Sequence, residues 1–150
     1  MNYFGKKVSF RKLFAMIDEA AKAFIAIGVK EGEIVPIVSI STVTSVICFY
    51  ALNRIGAVSD YLNVLSEEKD LCEYFKEVNA KVVVTLDLFG KKVVSAARKA
   101  NVKQIITFSV NQEMPVAVNI GYKLKTIGKL PAIPPFDNLL YLEKIHKKSL

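Results

Sequence analysis

At 150 residues the chain can bury the core of one domain, and an apolar content of 52% excludes a disordered polymer. The net charge of +7 invites a nucleic-acid reading, but the cations are dispersed in pairs such as Lys6-Lys7, Arg11-Lys12, Lys91-Lys92, Arg98-Lys99 and Lys147-Lys148. With no long basic block and no aromatic–basic repeat, the charge fits solubility and a general attraction to anions, phosphorylated small molecules included, better than nucleic-acid binding.

Residues 1–8 read as a short lead-in, a strand turning at Gly5. Ser9 is placed to cap a helix. After it Phe10, Leu13, Phe14, Ile17, Ala20, Ala21, Phe24 and Ile27 trace one helical face, and Gly28 closes the helix.

The densest apolar material follows at residues 34–52, IVPIVSISTVTSVICFYAL. Ile34, Val35, Ile37, Val38 and Ile40 suit a strand buried on both faces. Ser41 and Thr42 offer capping hydroxyls, and from Val43 the apolar positions Val46, Ile47, Tyr50, Ala51 and Ile55 take a helical step up to Gly56. Pro36, the interspersed hydroxyls and this change of period argue against a transmembrane span.

Residues 58–65 are extended, and Ser66 is expected to cap a helix whose first turn carries Glu67, Glu68 and Asp70 at its positive end. Leu71, Tyr74, Phe75 and Val78 supply its buried face. KVVVTL (81–86) is a buried strand, then a loop with Asp87, Gly90, Lys91 and Lys92, a helix ending near Asn101, and the strand QIITFSV (104–110).

Strands alternating with helices predict an α/β fold: an open, mostly parallel sheet with helices on both faces, in three layers, over residues 1–110. Residues 111–150 lose this rhythm. Pro115, Pro131, Pro134 and Pro135 punctuate a connection, and Asp137 is expected to start a last short helix through Leu139, Leu140, Leu142 and Ile145.

Reactive chemistry is sparse. The single histidine, His146, lies in a lysine-rich end and reads as a solvated side chain. Cys48 and Cys72 have neither disulfide-framework nor metal-site spacing, so no metal is expected. The glycines form no phosphate-binding loop, and no serine sits in a nucleophile elbow. Asp87 is the one carboxylate at the carboxyl end of a parallel strand, where open sheets bind ligands, although loop capping is the commoner role for a carboxylate so placed. The N-terminus lacks a signal peptide's apolar core, which points to the cytoplasm.

The order of pieces resembles the AMP-forming acyl-CoA synthetases within the adenylate-forming enzymes. VSFRKLFAMIDEAAKAFIAIGVKEGEIVPI carries the opening: Ser9-Phe10, the Leu/Ala helix, Gly28-Val29, Lys30, Gly32, Glu33 and a strand. Gly56-Ala57-Val58, Leu62-Asn63, Ser66 and KVVVTL follow in the family's order, so the resemblance covers roughly residues 3–110. Two departures stand out: Tyr61 replaces the usual proline before Leu-Asn, and Ser41-Thr42 replaces the usual Asn-Ser.

The resemblance implies an incomplete N-terminal part of a larger ligase. Its whole would activate a carboxylic acid with ATP and Mg2+ to an acyl-adenylate, then pass the acyl group to CoA, with fatty-acid metabolism a fitting setting. In that family the phosphate loop, adenine contacts, magnesium-binding acid and C-terminal lysine lie later than these residues, so the chain alone is expected to be inactive and to bind none of these cofactors tightly. The resemblance also implies weak CoA-phosphate contacts at Lys91 and Lys92, with Asn63 bordering the same site; a solvated helix start is the simpler explanation of the lysine pair and is preferred. Expected partners are the acid, the remainder of the ligase chain and whatever covers an exposed apolar face, with no nucleic acid and no transmembrane span. The acid, the acceptor thiol (CoA or a carrier protein) and the oligomeric state stay open. The alternative is a free-standing α/β module that binds a small ligand or regulates, without catalysis.

Overall fold

The computed structural model describes residues 2–3, 6–109 and 133–142. A two-stranded antiparallel ribbon, β1 (Asn2–Tyr3) and β2 (Lys6–Lys7), leads into α1 (Phe10–Ala26). Then follow β3 (Ile34–Val38), α2 (Val43–Arg54), β4 (Val58–Leu62), α3 (Glu68–Glu77), β5 (Val82–Leu86), a 3-10 turn (Asp87–Phe89), α4 (Gly90–Lys99), β6 (Gln104–Phe108) and β7 (Leu139–Tyr141). Gly5, Pro115, Pro131, Ile145 and His146, each given a sequence-based expectation, lie outside the described residues.

The main sheet is parallel throughout, in the order β4-β3-β5-β6-β7. From β3 the chain steps outward to β4, then crosses back over β3 to place β5 on its other side. Connectivity therefore reverses between β3 and β5, the switch point where open sheets leave a crevice at the carboxyl ends.

Both faces are covered, as alternating side chains on doubly buried strands require. Val35, Ile37, Val84, Leu86 and Ile106 pack under α1 and α2 with Phe24, Ile47 and Leu52. Val38, Val83 and Ile105 pack under α3 and α4 with Leu71, Phe75, Val93 and Val94. The expected three-layer α/β arrangement is present, and each fully buried large side chain contributes about 2 kcal/mol of transfer free energy.

Local signals set most boundaries. Ser9 Oγ accepts the Lys12 backbone N–H at 3.3 Å and starts α1, which ends before Gly28 at φ +92°. Thr42 and Ser45 exchange backbone-to-hydroxyl bonds of 3.0 and 2.8 Å in a capping box that starts α2. Gly56 (φ +78°) stops α2, and Asn101 (φ +56°) follows α4.

Five expectations need correction. Gly90, Lys91 and Lys92 lie in the first turn of α4 rather than in a loop before it. The α3 cap is Glu67, not Ser66: the first helical bond runs from the Leu71 N–H to the Glu67 carbonyl, and Glu67 and Asp70 form the capping box. Strand β6 ends at Phe108 rather than running to 110. The helix expected from Asp137 is absent over 139–141, which form edge strand β7 paired Leu139↔Ile105, Leu140↔Ile106 and Tyr141↔Thr107. Leu139 packs on the α3/α4 side and Leu140 on the α1/α2 side, so two adjacent leucines serve two faces of a sheet rather than one face of a helix. Finally, the α1 face is buried only from Ile17 onward. Phe10 and Phe14, at 72% and 57% exposure, overhang the core.

Candidate functional site

At the switch point the hydroxyls are already used. Ser39 Oγ donates to the Ile40 carbonyl at 2.7 Å, Ser45 Oγ lies 3.1 Å from that same oxygen, and Thr85 Oγ1 donates to the Val38 carbonyl at 3.2 Å. These bonds brace the β3–α2 turn and leave its hydroxyls engaged by the backbone. Asp87 opens the 3-10 turn, where its backbone carbonyl accepts the Gly90 N–H. Its position is that of a turn former at the strand end.

A recess lies beside it, along the outer side of α4. A cleft of about 460 Å³ is lined by Leu88, Phe89, Lys91, Lys92, Ser95 and Arg98, with Glu68 from α3 and Pro134 from the returning segment. The spacing of Lys91, Ser95 and Arg98 puts them on one helical stripe. Lys91 is exposed and makes no side-chain bond to any described residue.

Lys92 is committed to structure. Its Nζ donates to the carbonyls of Val64 (2.7 Å) and Ser66 (2.6 Å), drawing the β4–α3 turn onto α4. Asn63 shapes that same turn: its Oδ1 accepts the Leu65 N–H at 2.9 Å and its carbonyl accepts the Ser66 N–H at 3.0 Å. The fold thus brings the Asn63 turn and the Lys91-Lys92 pair to one place, although Asn63 forms none of the cleft lining.

Three further groups surround the cleft that the motif reading did not single out. Arg98 Nη2 donates to the Pro135 carbonyl and pins the returning segment. Lys99 and Glu68 pair at 2.5 Å across α4 and α3. The hydrogen bond from Lys99, joined by one from Ser95, holds the Glu68 carboxyl below its usual range, and the bond to Glu68 raises Lys99. The spacing from Lys91 to Arg98 was a usable signal; the Glu68 and Pro135 contacts are tertiary and left none.

As a ligand surface the cleft is cationic, with Lys91 its least engaged charge. A phosphate fits that chemistry, because an ammonium acts as a point charge for phosphate oxygens. Among the described residues no group of three His, Cys, Asp or Glu side chains could hold a metal ion, and no helix is long and apolar enough to cross a membrane.

The family model described as AMP-binding enzyme matches residues 1–138. A long-chain-fatty-acid–CoA ligase of Bacillus subtilis is 26% identical over 124 residues, covering 83% of this chain and 22% of that protein. A 3-hydroxypropionyl-coenzyme A synthetase of Sulfurisphaera tokodaii is 27% identical over 118 residues, 79% of this chain and 18% of that protein. Among solved structures, an anthranilate CoA ligase in complex with anthranoyl-AMP shares the fold with a TM-score of 0.73 at 14% identity, over 95% of this chain and 23% of its own. The chain spans about a fifth of the length of the curated relatives it matches. With the match running over residues 1–138, from the first strand through β6, the chain belongs to the AMP-binding enzyme family.

Proposed function

We propose that the chain is the N-terminal portion of an AMP-forming ligase that activates a carboxylic acid with ATP and transfers the acyl group to CoA. The family match over residues 1–138 carries this reading. The relatives' names share a CoA product and differ in the acid, from a long-chain fatty acid to 3-hydroxypropionate, so acid-to-CoA ligation is the supported level. A cytoplasmic setting in fatty-acid metabolism is the accompanying expectation. Residues 1–110 act as the α/β subdomain, and 111–150 as the connection toward the remainder, contributing β7 on the way.

The residues present fit a CoA phosphate and not the ATP–Mg2+ centre. Lys91 supplies an exposed charge at the cleft, Lys92 holds the Asn63 turn in place, and Ser95 adds a hydroxyl on the same stripe. When bound, ATP and Mg2+ supply the adenylation chemistry. No glycine-rich phosphate loop and no metal-ligand cluster among the described residues would receive them, so this portion contributes scaffold and a weak nucleotide-phosphate contact.

Carboxylate-dependent pyrophosphate release by the 150-residue chain is expected at background with or without CoA; robust turnover overturns the assignment. CoA is expected to shift backbone amide resonances around 90–95, and Lys91→Glu to weaken that binding roughly three- to tenfold at low salt. A free-standing binding module is the second reading, favoured by a core closed on both faces. Tight binding of a small ligand at the β3/β5 crevice would support it instead.

A further inference from the structure

The first turns of α1 break the pattern that the other described phenylalanines keep. Phe24, Phe75 and Phe108 are buried, and Phe49 and Phe89 pack against the core, yet Phe10 and Phe14 stand in solvent. They lie one turn apart on the stripe that Ile17 and Ala21 carry into the core, so the apolar face of α1 runs on past the edge of what it packs against.

The charges that precede them and lie between them are all basic, and the first acid, Asp18, one turn beyond Phe14, is paired with Arg54 at 3.0 Å. Lys7, Arg11 and Lys12 are exposed, and no acidic residue precedes Asp18. No acid occupies the first turn of α1, although a helix start favours carboxylates there. Basic residues at the positive end of a helix cost local stability, and this is a place where local preference gives way to something else. Exposed aromatics at a helix end whose nearby exposed charges in sequence, Lys7, Arg11 and Lys12, are cations match an anionic bilayer surface: rings for the headgroup–acyl boundary, ammonium and guanidinium groups for lipid phosphates.

We propose that the N-terminal end of α1 docks on an anionic membrane surface, with Phe10 and Phe14 entering the interface and Lys7, Arg11 and Lys12 facing the headgroups. Docking is peripheral and reversible. It needs no contribution from the α4 cleft.

The test is co-sedimentation of the 150-residue chain with sucrose-loaded vesicles of phosphatidylcholine alone, or with about one-third phosphatidylglycerol. Binding is expected only with the anionic lipid, and to fall as salt rises. Arg11→Gln with Lys12→Gln is expected to weaken it about 25-fold, at about fivefold per cation near the surface. Phe10→Ser with Phe14→Ser is expected to weaken it roughly tenfold or more, with the unfolding midpoint by circular dichroism unchanged because neither ring is in the core. Lys22→Gln, an exposed cation farther along α1, is the control and is expected to change binding less than about twofold. Equal binding to both vesicles, binding to neither, or equal loss in Lys22→Gln overturns the proposal. Pelleting without vesicles that both phenylalanine substitutions abolish also overturns it, by assigning the patch to self-association.

Discussion

The Lys92 ammonium donates to the Ser66 carbonyl at 2.6 Å, and the same nitrogen reaches the Val64 carbonyl at 2.7 Å. One cation on α4 thereby takes up two carbonyls of a turn lying 26 and 28 residues earlier in the chain. Because the group is partly buried, its bonds are charge-assisted in a medium less screening than water. Lys92→Met keeps the aliphatic stem and removes both bonds, so it is expected to cost about 1–3 kcal/mol. In a 150-residue domain that lowers the melting midpoint by about 2–10 °C. Faster amide exchange at 64–67 with α4 unaffected would locate the loss in the turn; an unchanged midpoint would remove the clamp from the account.

Glu33 and Lys81 join the turn before β3 to the start of β5, at 2.5 Å. Burial pushes the Glu33 carboxyl up. The Lys81 hydrogen bond, the Lys30 backbone N–H and the charges of both lysines outweigh that and leave it below its usual 4.5. A carboxyl lowered on folding stabilises the native state above the unfolded value of about 4.5, and that contribution is lost as pH falls through the lower folded value. Lys81 is 46% exposed against 18% for Glu33, so solvent screening keeps the contribution to about 0.5 kcal/mol. Urea unfolding of Glu33→Gln against the parent should show a gap above about pH 4.5 that closes as the pH falls below it. A gap independent of pH would assign the effect to packing.

Sequence periodicity revealed the parallel core because its strands are buried on both faces and its helices carry whole apolar stripes. Val82–Leu86 and Gln104–Phe108 could be read directly from unbroken β-branched and apolar runs. Strand β7 could not, since Leu139, Leu140 and Leu142 fit a helical spacing and only pairing with Ile105–Thr107 makes them a strand. The candidate site divides in the same way. Lys91 and Lys92 stand out as a pair after a strand, but one is exposed and the other is a clamp. That difference is set by Val64 and Ser66, on a separate connection. Phe10 and Phe14 were legible as apolar helix positions, and not as an overhang, because helical phase says nothing about where the sheet beneath ends.

Tyr74 donates its hydroxyl to the Asp60 carboxylate, fastening α3 to edge strand β4. That bond, then burial, then the neighbouring charges of Asp60 and Glu77 push the phenol up from 10.0 to about 12. For an acid raised on folding the stabilisation is complete below the unfolded value near 10 and is lost as pH rises through about 12. Tyr74→Phe should cost about 1 kcal/mol at neutral pH and show a shallower loss of stability over that alkaline window. The measurement is guanidinium unfolding across the window, paired with the phenolate absorbance of the parent. Parallel curves for the two proteins would sink the assignment.

Gly90 opens α4 with ordinary helical angles, φ −56° and ψ −40°, so a side chain there meets no backbone strain. What it meets is Ile133. An added Cβ would lie 2.7 Å from Ile133 Cγ1 and 3.0 Å from Cδ1, and a β-branched side chain has little freedom to swing aside. Alanine at a helical position otherwise gains up to about 1 kcal/mol over glycine, so propensity and packing oppose each other here. Overpacking is the larger effect: Gly90→Ala is expected to destabilise by about 1–3 kcal/mol in urea unfolding. Ile133→Ala empties the space in question, and in that background Gly90→Ala should change sign and stabilise by about 0.5–1 kcal/mol. Additive effects in the double mutant would mean that the segment bearing Ile133 and Pro135 does not rest on α4. A sign reversal would show that glycine at 90 is kept for that contact, which seats the segment leading into β7 at the edge of the sheet.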